Sequence, residues 1–297
     1  MACLDPTLDL VFKLLLTREP RLLCDMLQGI LAQPVPALTI LDPDLPGERV
    51  GDRRVVFDIR AALPSGGRVD VEMQRRAPVT LESRLVYYTA RHHGGQLRQG
   101  DSYHLLTPST GIVWLAEPLF PDLPRLHSIF ELRERHTGAR LSDQLAIHLL
   151  QLPHLCHARS PSPSTGYTAT VERWARFFAA RTDAERHQLA LEHPIMTLAN
   201  QTLDAISQDS DAQRRARQRE HELEFFYQLE LAAHRAEARV EGRVEGKAEL
   251  LCSLLSLRFG PLSRAARARI AKAAPEQLEA WAQRVLTAQT LEQVLAP

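Results

Sequence analysis

The sequence predicts an α/β domain, a mixed sheet flanked by helices, followed by a mostly α-helical C-terminal region. Leucines at helical spacing open the chain, and two stretches of alternating residues flank a Ser-Gly-Gly turn at 65–67. Residues 170–295 are compatible with helix almost throughout. With 297 residues, 44% of them hydrophobic, the chain is long enough for one large core and a smaller domain.

The first half of the chain contains the predicted α/β elements. Residues 7–33 have helical periodicity, and Pro20 divides them into two helices because proline fits best in a first helical turn. The further predicted elements are a short strand at 38–41, antiparallel strands at 54–63 and 68–74, a helix at 81–97, and strands at 103–106, 112–115, 129–133 and 145–150.

Changes in composition predict the domain boundaries. The α/β domain covers residues 1–157, and the sequence SPSPST at 160–165 is typical of a linker. A helical linker region at 158–235 and a C-terminal helical domain at 236–297 follow, with Trp281 as a core anchor and LRFGPL as a break between helices. The long helices after residue 210 are a candidate homodimer interface, although their apolar stripe is too irregular for a coiled coil.

Charge and cysteine content exclude several classes of protein. Lys+Arg and Asp+Glu balance at 36 each, so nucleic-acid binding would have to rest on a local basic surface. Four scattered cysteines without a CxxC pair argue against a disulfide framework. No apolar run approaches the ~20 residues of a membrane span, and Asp5, Pro6 and Asp9 interrupt any signal-peptide pattern. The protein is therefore expected to be cytoplasmic, with no membrane partner.

An acidic face on the predicted hairpin indicates a possible metal site. Asp58 stands in a strand whose neighbours are apolar on both sides, and a buried carboxylate must be paired or bound to a cation. Glu72 and Gln74 point the same way on the next strand, and antiparallel pairing can bring Asp58 opposite them. Their oxygens suit Mg²⁺ or Mn²⁺. The alternative is an ordinary hairpin with a solvated polar face, and a one-residue slip in register would move Glu72 to the other face.

Gln74 occupies the place where a lysine would commonly stabilise negative charge that develops on a phosphoryl group. The amide of Gln74 can orient a water molecule and donate a hydrogen bond. It carries no charge and is not an effective base.

Four blocks of sequence resemble the PD-(D/E)XK nuclease-family transposases, also called recombination-promoting nucleases, in family order. These blocks are DPTLDLVFKLLL, VDVEMQ, SRLVYYTARHHGGQLRQGDSYHLLTPSTGIVWL and VEGRVEGKAELLCSLLSLRFGPL. The last block resembles a helical C-terminal domain of unknown function that is often attached to these proteins. Together the blocks span most of the chain.

The resemblance implies a restriction-endonuclease-like core and a metal-dependent DNA endonuclease that hydrolyses phosphodiester bonds with a metal-activated water. By position, Asp58 and Glu72 would be catalytic ligands of Mg²⁺ or Mn²⁺, Gln74 would stand in for the lysine, and Asp9 would be a further acidic contributor. An exposed or capping role is the alternative for Asp9, and Lys13, one turn later, could form an ion pair with it.

Basic and aromatic side chains after the hairpin are candidates for DNA contacts. Arg84 and Tyr88 lie one turn apart on the predicted helix 81–97, and arginine suits phosphate geometry. The alternative is that Tyr88 packs in the core and Arg84 covers it. Arg75 and Arg91 are further candidates for a local basic surface, against the alternative of a solvated rim. The same surface could include Arg76, His92, His93 and Arg98.

Two other functions stay open. A catalytically weak or inactive DNA-binding or regulatory relative is favoured by Gln74 and by the sequence Gln151-Leu152-Pro153-His154, where family members often have Glu-Leu-x-Lys. A structural or interaction protein would instead act through the helical tail, and the substitution Asp58→Ala would then be silent.

Overall fold

The computed structural model describes residues 3–45, 55–78, 80–158 and 166–296, so the predicted linker at 160–165 lies outside the described residues. Two 3-10 helices occur at Tyr103–Leu105 and Leu152–Ala158. The other elements are α1 (Asp9–Arg18), α2 (Pro20–Leu31), β1 (Thr39–Leu41), β2 (Asp44–Leu45), β3 (Val55–Val56), β4 (Ile59–Ala62), β5 (Arg68–Gln74), α3 (Leu81–Gly94), β6 (Ser109–Leu115), β7 (His127–Glu131), β8 (Leu145–Gln151), α4 (Gly166–Ala179), α5 (Asp183–Glu192), α6 (Pro194–Gln208), α7 (Ser210–Phe259), α8 (Arg264–Ala271), α9 (Pro275–Arg284) and α10 (Leu291–Val294).

A six-stranded mixed sheet, in the order β1-β4-β5-β6-β8-β7, forms the centre of the first part of the chain. β4 and β5 make the predicted antiparallel hairpin, whereas β5, β6 and β8 run parallel to one another. β2 and β3 form a separate two-stranded ladder. The sheet with its flanking helices and the helical C-terminal part confirm the predicted α/β class with a restriction-endonuclease-like core.

The turn between β4 and β5 depends on glycine. Gly66 has a φ of 87°, a region that glycine enters without the steric penalty of a Cβ atom. The backbone N–H of Gly66 donates to the carbonyl of Leu63 at 2.9 Å, and the N–H of Leu63 donates to the carbonyl of Gly67 at 2.8 Å. This turn sets the register of the hairpin that carries the acidic residues.

Different helices cover the two faces of the sheet, because neighbouring residues of a strand point to opposite faces. On one face, Leu81 and Leu85 of α3 pack against Val113 of β6. On the other face, the ring of Phe178 in α4 lies 5.0 Å from Trp114 of β6, measured between ring centroids.

α4 also packs against the N-terminal helices. The centroid of the Phe178 ring lies 5.4 Å from that of Phe12 in α1. The indole N–H of Trp174 donates to Oδ2 of Asp25 in α2 at 2.8 Å. A helix from beyond residue 166 thus completes the core around the sheet.

The chain forms two compact units, Met1–Glu220 and His221–Pro297. Helices α4 to α6 and the start of α7 therefore belong with the sheet, although they fall in the region at 158–235 predicted as a linker. The three-part division with boundaries at 157 and 235 stays a prediction.

The second unit has its own hydrophobic core. Trp281 of α9 is 1% exposed, which confirms the predicted anchor, and its indole N–H donates to the carbonyl of Ala296 at 3.0 Å. Leu251 and Leu255 of α7 belong to the same core. α7 ends at Phe259, where Gly260 has a φ of 85°, so the predicted break lies where LRFGPL placed it. Across the described residues, no helix combines the length and the apolarity needed to cross a membrane.

Two predicted strands differ in the structure. The strand predicted at 103–106 is a 3-10 helix, because the hydroxyl of Ser102 accepts from the N–H of His104 and the carbonyl of Ser102 accepts from the N–H of Leu105. Tyr103 is 83% exposed, so the apolar residues here face solvent. The strand predicted at 54–63 is divided into β3 and β4 by Phe57 and Asp58, and residue 54 lies outside the described residues.

Candidate active site

The β4–β5 hairpin brings two acidic residues together. Ile59 pairs with Val71, so the next position along the hairpin aligns Asp58 with Glu72. The backbone N–H of Met73 donates to Oδ2 of Asp58 at 3.0 Å, which holds this carboxylate against β5. The pairing of Asp58 with Glu72 predicted from the sequence requires this register of β4 against β5.

Both carboxylates resist ionisation. Burial, and after it the neighbouring charge of Asp58, raises the pKa of Glu72 to about 8. Burial also raises the pKa of Asp58 to about 6, while its hydrogen bond from Met73 acts in the opposite direction. Glu72 is 5% exposed, whereas Asp58 keeps partial contact with solvent. Two such carboxylates favour the binding of a cation, because its positive charge would compensate the negative charges of their ionised forms.

The side chains of Gln74 and Arg84 contact Glu72. Nε2 of Gln74 donates to Oε2 of Glu72 at 3.2 Å, and an Nη atom of Arg84 lies 3.7 Å from the same oxygen. The Arg84 guanidinium also lies over the ring of Tyr88, 5.8 Å from its centroid. Tyr88 packs edge-on against Phe57, with 5.4 Å between the ring centroids. Arg84 therefore reaches the Glu72 carboxylate, and its guanidinium packs on the ring of Tyr88.

Asp9 approaches the site from α1 and is bound by a residue far away in the sequence. Nε and an Nη atom of Arg219 donate to Oδ2 of Asp9 at 2.8 and 2.6 Å. Asp9 thus has its ion pair with Arg219 of α7, whereas the charge of Lys13 acts on Asp58 and favours its ionised form. No spacing pattern in the arginine-rich segment around residue 219 distinguishes this arginine, so its role could not be predicted from the sequence.

Of the other predicted DNA-contact residues, Arg75 is bound by acidic side chains other than Asp58 and Glu72. Arg75 lies 2.8 Å from Asp5 and 3.1 Å from Glu220, so two acidic side chains already neutralise its charge. Arg91 is half-buried in the last turn of α3. A role of either arginine in DNA binding stays a prediction.

A buried polar cluster lies beside the site on the same face of β5. The carboxylate of Asp70 contacts Nδ1 of His92, and its Oδ1 lies 3.7 Å from Nε of Arg60. Burial raises the pKa of Asp70, and the hydrogen bond with His92 opposes this shift. His92 is 1% exposed, so it cannot belong to the predicted basic surface. His92 instead connects α3 to β5 through its contact with Asp70. This role can be recognised only from the packing of α3 against the sheet.

Gln151, at the position that departs from the family pattern, has a structural role. It is fully buried, and its Oε1 accepts hydrogen bonds from the backbone N–H groups of Leu119 and Phe120, both at 2.9 Å. The side chain therefore supports the loop after β6.

Within the described ranges, no group of three or more His, Cys, Asp and Glu side chains is arranged to hold a metal ion. The donor set at this site consists of the Asp58 and Glu72 carboxylates. Hard oxygen donors of this kind match Mg²⁺ and Mn²⁺, which often take few protein ligands and keep several waters.

Comparison with known proteins identifies the family. The family model described as PD-(D/E)XK nuclease family transposase matches residues 6–225, which is more than half of the chain and includes all the residues predicted for the site. Among curated proteins and among solved structures, none matches the chain significantly. The matched region includes the whole six-stranded sheet, and the chain belongs to the PD-(D/E)XK nuclease family transposases.

Proposed function

We propose that this protein is a DNA endonuclease that depends on Mg²⁺ or Mn²⁺ and holds the cation with Asp58 and Glu72. The observation that carries the proposal is the alignment of these two carboxylates across the hairpin, both with a raised pKa. Without a counter-charge, the ionised forms of these two carboxylates are unfavourable. A cation bound beside them would stabilise the ionised forms.

The donor set fits such a cation. Asp58 and Glu72 supply hard oxygens, and water can complete an octahedral shell. When bound, the divalent ion would polarise a phosphoryl oxygen and lower the pKa of a coordinated water.

The chain's own residues would prepare the site for hydrolysis. The Met73 N–H fixes the orientation of Asp58, and Gln74 both holds Glu72 and offers an amide that can orient a water. Arg84 is close enough to Glu72 to bind a phosphate oxygen next to it. In the reaction, the oxygen of water bonds to phosphorus and one P–O ester bond breaks. A proton from the water ends on the leaving oxygen, which gives a phosphomonoester and a free hydroxyl.

The proposed partners are DNA and a second copy of the chain. In α7, Leu250, Leu254 and Leu257 are 62%, 40% and 84% exposed and lie at i, i+4 and i+7 on one side of the helix. This exposed stripe supports the proposed homodimer through the C-terminal helices, which would bring two active sites to one DNA duplex.

A second candidate function is a DNA-binding relative with little or no catalysis. Gln74 favours it, because the amide provides no positive charge where a lysine would stabilise the transition state.

Cleavage of supercoiled plasmid by the purified protein, with Mg²⁺, Mn²⁺ or chelator, tests the proposal. We expect nicking or linearisation with either cation, none with chelator, and none with Glu72→Ala. The variant Glu82→Ala is the matched control, because Glu82 is exposed on α3. DNA binding without cleavage in the wild-type protein would favour the second candidate. Equal cleavage by wild type and Glu72→Ala would contradict the proposed site.

A further inference from the structure

The proposed active site has a glutamine where a lysine ammonium would be expected, and the described residues include three cationic side chains near Asp58, Glu72 or Asp9. Arg84 lies 3.7 Å from Glu72. Arg219 donates both of its short hydrogen bonds to Asp9. The third cation is Lys13, whose charge acts on Asp58.

Lys13 is placed by α1. This helix packs against β5, the strand of Glu72, and Lys13 follows Asp9 by one helical turn. The side chain is half-buried, and within the described residues no carboxylate lies within 4 Å of its ammonium group. Arg219 is bound by Asp9 and Arg84 lies beside Glu72, whereas Lys13 is the lysine whose charge acts on Asp58.

Composition gives an independent indication. The chain has three lysines, Lys13, Lys247 and Lys272, so Lys13 is the only lysine within Met1–Glu220. All other basic side chains of that unit are arginine or histidine. An ammonium is a compact point charge on a flexible stem, whereas a guanidinium has a fixed planar geometry. The one lysine of this unit lies on α1, the helix that contacts β5.

We propose that Lys13 is a catalytic residue that supplies the missing ammonium, contacting the scissile phosphate beside Asp58 in place of a lysine at position 74. Its charge stabilises the negative charge that develops on the phosphoryl oxygens. Lys13 makes no covalent bond in this role. This assignment rests on the proposed endonuclease function.

The test moves the ammonium from α1 to β5. The variants are Lys13→Met, which removes the ammonium and keeps an unbranched stem, Lys13→Arg, and the double variant Lys13→Met/Gln74→Lys. Lys272→Met is the matched control, because Lys272 is exposed in the second unit. For each variant, kcat for metal-dependent plasmid cleavage, the Kd for DNA without divalent metal, and the thermal unfolding midpoint are measured.

We expect Lys13→Met to lower kcat about 100-fold, the usual effect of removing one group that stabilises a developing anion, with Kd changed less than about threefold. Lys13→Arg should keep part of the activity. The double variant should regain about tenfold or more over Lys13→Met, because the ammonium returns from β5. Lys272→Met should behave as wild type.

The outcomes separate this assignment from the function on which it rests. If Lys13→Met cleaves within about threefold of wild type while Glu72→Ala is inactive, the endonuclease function stands and the role of Lys13 is overturned. A loss that neither Lys13→Arg nor Gln74→Lys recovers also overturns it, because only the packing of α1 was then disturbed. A wild-type protein without metal-dependent cleavage overturns both.

Discussion

Arg219 binds the carboxylate of Asp9 through two hydrogen bonds, of 2.8 and 2.6 Å, although 210 positions separate the residues in the sequence. Asp9 lies on the helix that contributes charge to Asp58, so the first turns of α7 are part of the surroundings of the site. The next residue, Glu220, forms an ion pair with Arg75 directly after β5. The start of this long helix is thereby attached to both α1 and the active-site strand.

The variant Arg219→Gln is expected to destabilise the protein by about 1 kcal/mol, because hydrogen bonds to a charged group are lost at a partly exposed position. In a double-mutant cycle with Asp9→Asn, the two losses should not add. Urea unfolding monitored by circular dichroism gives the four free energies. Arg215→Gln is the control, since Arg215 pairs only loosely with Asp211 at 3.8 Å. Additive effects at residues 9 and 219 would show that the pair makes no net contribution.

Cation binding is expected to strengthen as the pH rises from about 6 to about 8, because Asp58 and Glu72 must lose their protons to bind metal. At pH 7, Glu72 is still mostly protonated and Asp58 mostly ionised, so binding should release about one proton. Titration calorimetry with Mn²⁺ in buffers of different ionisation enthalpy measures that number. Binding that is independent of pH, with no proton released, would argue against these two carboxylates as ligands.

Glu72→Gln is expected to stabilise the metal-free protein at pH 8 while it abolishes cleavage. The pKa of Glu72 rises from 4.5 in the unfolded chain to about 8 in the fold, so the folded state holds a proton that the unfolded state releases. The stability of the wild type therefore falls as the pH rises through this window. The gain from Gln should be on the order of a few kcal/mol at pH 8 and small at pH 5.

Urea unfolding with chelator at these two pH values checks the prediction. Glu82→Gln, at an exposed position of α3, should have the same small effect at both pH values. A stabilisation by Glu72→Gln that does not change with pH would mean that the carboxylate ionises normally in the fold.

Gly111→Ala is expected to loosen α3 from the sheet. A Cβ atom at Gly111 would lie 2.7 Å from Oγ1 of Thr89, closer than the two atoms can approach. The variant should lose about 1–3 kcal/mol and should also lose cleavage activity, because α3 carries Arg84. Adding Thr89→Ala should restore part of the lost stability and part of the lost cleavage activity. Gly94→Ala is the control, since a Cβ atom there would have no neighbour within 4 Å. A double variant no better than Gly111→Ala would point to a different cause.

Local signals made the hairpin predictable. Side-chain alternation and the Ser-Gly-Gly turn act over a few residues, so the pairing that aligns Asp58 with Glu72 follows from the sequence. The same local rules predicted a strand at 103–106, where apolar residues alternate but a capping Ser102 and solvent exposure favour a turn. Short apolar runs do not carry enough information to choose between these states.

The burial and the partners of individual side chains depend on long-range packing, so they could not be predicted from the sequence. His92 and Arg91 are adjacent and both basic, yet only His92 is buried, in contact with Asp70. Which of them turns inward depends on how α3 lies against β5. Arg219 is another case, since its partner is set by the path of the whole chain.

A gene fragment that ended after residue 157 would encode every strand of the six-stranded sheet, yet it would leave one side of that sheet without helix α4. Trp114 and Phe12 would lose the ring of Phe178, and Asp25 would lose its hydrogen bond from Trp174. Such a polypeptide would expose a broad apolar surface and would tend to aggregate. The smallest portion of the gene that can be moved, fused or expressed alone therefore extends through the first turns of α7.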